Sequence, residues 1–275
     1  MTTMATLNDR LYSVKKRMLD MYHAANAGHI GCSLSCTEIL VHLKFSWMKP
    51  DDRLVLSKGH AAALLYSVLA EAGEISEETI GTFYHNGTIL PAHPPVNRVK
   101  AIPFATGSLG HGLSLSAGMM LGARMKGETQ RCFCVTSDGE LDEGSTWEAA
   151  MFIAHHRLTS LVWLIDRNRI QGIGQTEEVL RLEPLEEKLR SFGFNVVRAD
   201  GHDFASLEEA KSQCDALIAG EGKPCAVICS TVKGHGVSYM ENTVDCHYLP
   251  MKDEQYTLAV HELDAWRTRS SGENR

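Results

Sequence analysis

Two stretches decide the fold: Cys132-Phe-Cys-Val-Thr-Ser-Asp-Gly-Glu140 and Leu161-Val-Trp-Leu-Ile-Asp-Arg-Asn168. Each is a short apolar run that ends in a polar cluster. Runs that are apolar throughout, rather than alternating, belong to strands buried on both faces. Residues 144–156 lie between them and carry helical spacing. Working outward, the rhythm continues. Arg53-Leu-Val-Leu56, Phe194 to Arg198 and Ala226-Val-Ile-Cys229 read as further strands. Helices are expected over residues 7–26 (closed by Gly28), from Ala61 to Glu71 before Gly73, over 112–126 and over about 253–267. Another runs from Pro184 to Gly193, with proline at its first position and glycine just past its end. Ser35 with Glu38, and Ser206 with Glu209, have the spacing of capping boxes for two more. Residues 87–110 hold Pro91, Pro94, Pro95 and Pro103 and read as a long loop, a feature that is functional or disordered in most compact domains. Strands alternating with helices define an α/β fold with a parallel sheet flanked by helices. No repeat, low-complexity segment or linker interrupts it, so a single domain over residues 1–275 is expected.

Composition narrows the function. The net charge of −7 is spread along the chain, which excludes the clustered basic surface that nucleic acid requires. No apolar run approaches the ~20 residues that span a bilayer, and no charged-then-apolar leader opens the chain. The eight cysteines form no C-x-x-C pair and fall in apolar runs, so reduced buried thiols in a cytoplasmic protein are expected.

In a parallel sheet, ligands collect at the carboxyl ends of the strands. Polar or glycine-bearing clusters stand at five such ends: Ser57-Lys-Gly-His60, Ser137-Asp-Gly-Glu140, Asp166-Arg-Asn168, Asp200-Gly-His-Asp203 and Thr231-Val-Lys-Gly-His235. Any one is a common turn; five together indicate a site. Asp138 and Asn168 end consecutive strands, and consecutive parallel strands are often neighbours. A carboxylate and an amide oxygen so placed suit magnesium, which takes oxygen ligands together with phosphate and water. Gly139 allows a diphosphate to approach the backbone, and the helix starting near Gly144 points its N-terminal dipole at an anion. Histidines stand in glycine- or proline-rich loops at His29, His60, His93, His111, His235 and His247, where imidazole donates to phosphates or moves protons. None has the spacing of a zinc motif.

Asp138-Gly-Glu-Leu-Asp-Glu143-Gly followed by Ile165-Asp-Arg-Asn168-Arg-Ile170 resembles the thiamine diphosphate fingerprint of transketolases. Gly28-His-Ile-Gly31, Ser57-Lys-Gly-His60, Ala105-Thr-Gly-Ser-Leu-Gly110 and Lys233-Gly-His-Gly-Val-Ser238 extend the likeness in colinear order from about residue 10 to 250. The chain is most similar to the N-terminal subunit of two-gene transketolases, ending where a fused enzyme continues into its pyrimidine-binding domain. The resemblance implies the thiamine diphosphate-binding (PP-type) fold, with thiamine diphosphate and Mg2+ as cofactors. It implies Asp138, Asn168 and the Ile170 carbonyl as metal ligands. It assigns His60, Gly107, Leu109, Gly139, Glu140, Asn168 and His235 to the cofactor, and His29, His93, His247 and Glu143 to catalysis. Glu143 and Glu148 are expected near the subunit interface, close to a cofactor-activating glutamate of the other half. The implied reaction moves a two-carbon ketol unit from a ketose to an aldehyde, on sugar or sugar-phosphate substrates. The implied partner is a C-terminal subunit, in an α2β2 heterotetramer.

Three departures stand out. Ser137 replaces a usual glycine, His111 stands where the family commonly has glutamine, and Thr243-Val-Asp-Cys246 lacks a second histidine before His247. Two rival readings share the metal motif. One is the α-subunit of another thiamine diphosphate enzyme, a 2-oxoacid dehydrogenase or acyloin-forming synthase. The other is a non-catalytic cofactor-binding subunit.

Overall fold

Five parallel strands form one sheet in the computed structural model, which describes residues 6–272. They are β1 (Arg53–Leu56), β2 (Cys132–Ser137), β3 (Leu161–Arg167), β4 (Asn195–Asp200) and β5 (Cys225–Ser230), in the order β1-β2-β3-β5-β4. Every residue of β2 and β3 is buried, as their unbroken apolar runs require. The period-two alternation of strand side chains divides these runs between two layers. Phe133, Val135, Val162, Leu164 and Val227 face one core. It is covered by α1 (Leu7–Ala24), α2 (Ile30–Leu34), α3 (Thr37–His42) and α4 (Ala62–Glu71), followed by the four-residue α5 (Glu77–Ile80). Cys132, Cys134, Leu161, Trp163 and Ile165 face the other, under α6 (Gly112–Met125) and α7 (Gly144–His155). After the short α8 (Thr176–Val179), α9 (Leu185–Phe192) completes that layer, and α10 (Phe204–Glu221) and α11 (Asp253–Gly272) complete the first. Trp163 satisfies its indole N–H on Thr136 Oγ1 at 2.9 Å, so the largest fully buried side chain brings no unpaired donor. All eight cysteines are free and buried.

The consecutive strands β2 and β3 are neighbours, with Ser137 opposite Asp166. The sequential rule fails one strand later, because β5 inserts between β3 and β4. Open parallel sheets bind ligands beyond the carboxyl ends of their strands.

Several helix boundaries differ from the sequence expectation. α1 stops at Ala24, four residues before Gly28, and Asn26 makes the turn at φ 47°. Neither capping box forms. Ser35 closes α2, and its hydroxyl donates to Asp166 Oδ2, with the Cys32 carbonyl also within reach, while Glu38 pairs with Lys15. α10 begins two residues before Ser206, because the Asp203 carboxylate accepts from the N–H groups of Ala205 and Ser206. Pro184 stands just before α9 rather than inside it, and Gly193 closes that helix at φ 101°. Two strand-end clusters tighten into short 3₁₀ turns, Gly59–Ala61 and Gly139–Asp142, and another such turn spans Asp245–His247.

Candidate active site

The tips of β2 and β3 bring Asp138 and Asn168 together, both almost fully buried. The Asp138 N–H donates to the Asp166 carbonyl across the strand pair at 3.2 Å. Its Oδ2 accepts from Arg167 Nη1 (2.9 Å), the Arg169 N–H (2.6 Å) and Thr176 Oγ1 (3.1 Å). Its Oδ1 accepts only the Gly139 N–H, at 2.8 Å, and keeps capacity for a second partner. Asn168 Oδ1 accepts from the Ile170 N–H at 3.1 Å and Nδ2 donates to Asp166 Oδ2 at 3.2 Å, which fixes the amide with its oxygen toward Ile170. The Ile170 carbonyl accepts from Lys233 Nζ at 3.1 Å. Each of these three oxygens has two lone pairs, so one remains for a cation at Asp138 Oδ1, Asn168 Oδ1 and Ile170 O. Burial, and then the nearby Asp166, raise the Asp138 carboxyl above its ordinary value, while Arg167 opposes them. An incoming cation relieves such a carboxylate. An all-oxygen set of this kind suits magnesium, and the residues fit the metal.

Asp166, between the two, is wholly buried and held ionised by Lys58, with Ser35 and Thr231 donating to it. Lys58 also reaches the Cys32 carbonyl at 2.8 Å, tying β1, α2 and β3 into one frame under the site. Removing one partner of a buried pair like this is costly, because it leaves an uncompensated charge.

Four histidines converge above this frame. His29 lies 5.5 Å from His60, 6.1 Å from His93 and 5.2 Å from His247 between ring centroids, and His60 lies 5.3 Å from His247. They come from segments far apart in sequence. His29 adopts the left-handed conformation (φ 72°) that opens α2, and its N–H donates to the His247 carbonyl at 2.9 Å. His93 comes from the proline-rich loop and covers Gly107, where φ is 137° and an added Cβ would lie 2.6 Å from the imidazole. All four rings are pushed below the ordinary imidazole value, chiefly by burial; His247, with Lys233 beside it, falls to about 3. At neutral pH they are uncharged hydrogen-bonding groups.

A cavity of about 350 Å³ joins the two halves of the site. Asp138, Gly139, Asn168 and Ile170 line it from the strand tips, Leu109 from the loop, and His60 and His247 from the histidine cluster. Glu143, exposed at the start of α7, stands at its rim, and Glu148 is exposed one turn further along that helix. His29 touches both lining histidines, and His93 touches His29 and Gly107; these three are not among the lining residues. His111 is exposed at the start of α6, with Nδ1 3.0 Å from the Leu109 carbonyl.

Two residues that the resemblance assigns to the cofactor lie elsewhere. Glu140 turns away from the cavity, accepting from Ser57 and from the Gly110 N–H at 2.8 Å, and braces the 107–112 loop from beneath. Burial raises its carboxyl to about 7. His235 stacks on His202 at 3.6 Å and joins a separate group with Glu38. The turn through Gly234 (φ 80°) sends Lys233 inward and His235 outward. Lys58, Arg167 and Lys233 are the site residues that sequence reasoning missed. Each sits inside a motif quoted for its other members, and their nearness to those members was the signal.

The chain belongs to the transketolase family: the family model described as "Transketolase, thiamine diphosphate binding domain" matches residues 9–267. It is 38% identical over 260 residues to the 6-deoxy-6-sulfo-D-fructose transketolase subunit of Clostridium sp. (strain MSTE9), covering 91% of this chain and 94% of that one. It is 39% identical over 258 residues to one subunit of the apulose-4-phosphate transketolase of Phocaeicola vulgatus, covering 90% of each. Among solved structures, the transketolase of Campylobacter jejuni superposes with a TM-score of 0.86 at 27% identity, over 94% of this chain and 42% of that one. The chain thus spans nearly the whole length of the subunit relatives and less than half of the solved enzyme. The parallel sheet flanked by helices is the thiamine diphosphate-binding fold expected from the sequence. No helix among the described residues is long and apolar enough to cross a membrane.

Proposed function

We propose that this chain, residues 1–275 acting as one diphosphate-binding domain, is the N-terminal subunit of a two-component transketolase. It transfers a two-carbon ketol unit from a ketose donor to an aldehyde acceptor, in the cytoplasm, as an α2β2 heterotetramer with a pyrimidine-binding C-terminal subunit. The observation that carries this reading is one cavity lined both by the Asp138–Asn168 pair and by His60 and His247, two of the four clustered histidines. The subunit designations of the relatives, and their coverage, support the need for a second chain.

Asp138, Asn168 and the Ile170 carbonyl hold Mg2+, and Gly107, Leu109, Gly139 and His60 line the diphosphate. Bound thiamine diphosphate supplies the carbon nucleophile and the electron sink. His29, His93 and His247 hydrogen-bond the hydroxyl and carbonyl oxygens of the substrate, holding them in a reactive geometry and moving protons between them. Glu143 and Glu148 face the partner subunit. The relatives' names specify a sulfo-sugar and a sugar phosphate, which supports a donor carrying an acidic group. The missing second histidine at Thr243–Cys246 separates its substrate recognition from that of ordinary pentose-phosphate enzymes. Co-expression with the complementary subunit, followed by a screen of ketose donors and aldehyde acceptors, tests the proposal. Ketol transfer that requires both chains supports it; a complex that turns over 2-oxoacids and no ketose overturns it.

A further inference from the structure

Lys233 has no task in the chemistry above, although its side chain is fully buried beside three site groups. Its Nζ lies 3.1 Å from the Ile170 carbonyl oxygen, 3.0 Å from that of Gln171 and 2.9 Å from Nδ1 of His247. The two carbonyls only accept, so they take two N–H groups. An ammonium has three donors and no acceptor, and its third N–H goes to Nδ1 of His247. The Cys32 thiol approaches the same ring nitrogen at 3.2 Å. Burial pushes that thiol up to about 11, so at neutral pH it carries its proton and is a donor as well. Two donors therefore converge on Nδ1. A neutral imidazole has one proton, and it cannot reside there.

We infer that Lys233 is a positioning residue that fixes His247 in the tautomer protonated on Nε2. The ring then presents an N–H donor on the side of Gly172, a residue that lines the same cavity. Resting on the transketolase reading, this makes His247 a hydrogen-bond donor to a substrate oxygen before any proton moves, rather than a base. Lys233 does a second thing through the same contacts. By donating to successive carbonyls of the Ile170–Gln171 turn, it holds that turn in place beside the Asn168 amide.

The nitrogen-15 spectrum of the chain, grown with labelled histidine, tests the inference, with His247→Gln identifying the signals. The expected wild-type spectrum has a pyridine-like Nδ1 and a protonated Nε2 at His247. Lys233→Met should shift the tautomer ratio toward Nδ1–H by about tenfold, the equivalent of one lost hydrogen bond. The signals of His42, at the end of α3 and paired with Glu208, should stay in place. A protonated Nδ1 in the wild-type chain, which needs a neutral lysine accepting from the ring, overturns the inference. So does a Lys233→Met spectrum unchanged at His247. The wild-type spectrum decides the tautomer even if the variant fails to fold. Neither measurement uses ketol transfer, so failure here and failure of the proposed function are distinguishable.

Discussion

His29 and His247 are joined by a backbone hydrogen bond and by ring contact, yet they come from opposite ends of the chain. They belong to the histidine cluster rather than to the carboxylate and amide proposed to hold the metal. Changing either to alanine should lower kcat of the assembled enzyme about 100-fold, in the range of a lost proton-transfer or donor group. Affinity for thiamine diphosphate should change far less. Steady-state kinetics beside a cofactor titration separates the two effects, and equal losses in both would contradict the assignment. At this scale the sequence was legible where polar residues end apolar strands: Asp138, Asn168 and His60 line the cavity. It was illegible for Lys58, Arg167 and Lys233, because lysine and arginine usually belong to the surface and only the fold shows them buried against carboxylates and carbonyls. At Glu140 and His235 the motif was legible, but the side-chain direction was not: both point away from the cavity.

Elements that carry the site were read well in kind and less well at their ends. β1, β2, β3, β4 and β5 were all found, because runs buried on both faces leave a strong apolar signature. Helix starts were harder. Ser206 and Glu209 have the spacing of a capping box, but Asp203 lies three residues earlier and is the better acceptor for the first-turn N–H groups. Ser206 instead accepts from the Asp200 N–H, and Glu209 bonds Gln213. Asp203→Ala should therefore cost about 1 kcal/mol of stability, and Glu209→Ala only a few tenths. Chemical denaturation measures both; a larger loss from Glu209→Ala would restore the capping box. At Ser35 a buried partner outweighed a local cap. The hydroxyl serves Asp166, the carboxylate at the centre of the frame, so Ser35→Ala should cost about 1–3 kcal/mol.

Across the whole molecule, burial of neutral histidines contributes to the response to acid. His29, His60, His93 and His247 have folded-state values below the ordinary 6.5, so below that pH the unfolded chain binds more protons than the folded one. Their contribution is fully present above about pH 6.5 and is lost as pH falls toward the folded values, which for His247 means about 3. Melting temperature should be flat near neutrality and fall steadily as pH drops from about 6.5 toward 4. His60→Gln should flatten that fall, and a melting temperature that rises on acidification would contradict this origin of acid sensitivity. The sheet order was only partly legible, since β5 inserts beside β3 for reasons of packing that no local motif records. The proposed second chain was legible only through resemblance. The most direct test of the metal-and-diphosphate site is calorimetric titration of thiamine diphosphate into the assembled complex, with and without Mg2+, for the natural chain and for Asp138→Ala. Binding should require Mg2+ and disappear in the variant. Full, metal-independent binding by Asp138→Ala would contradict the assignment of that carboxylate to the metal.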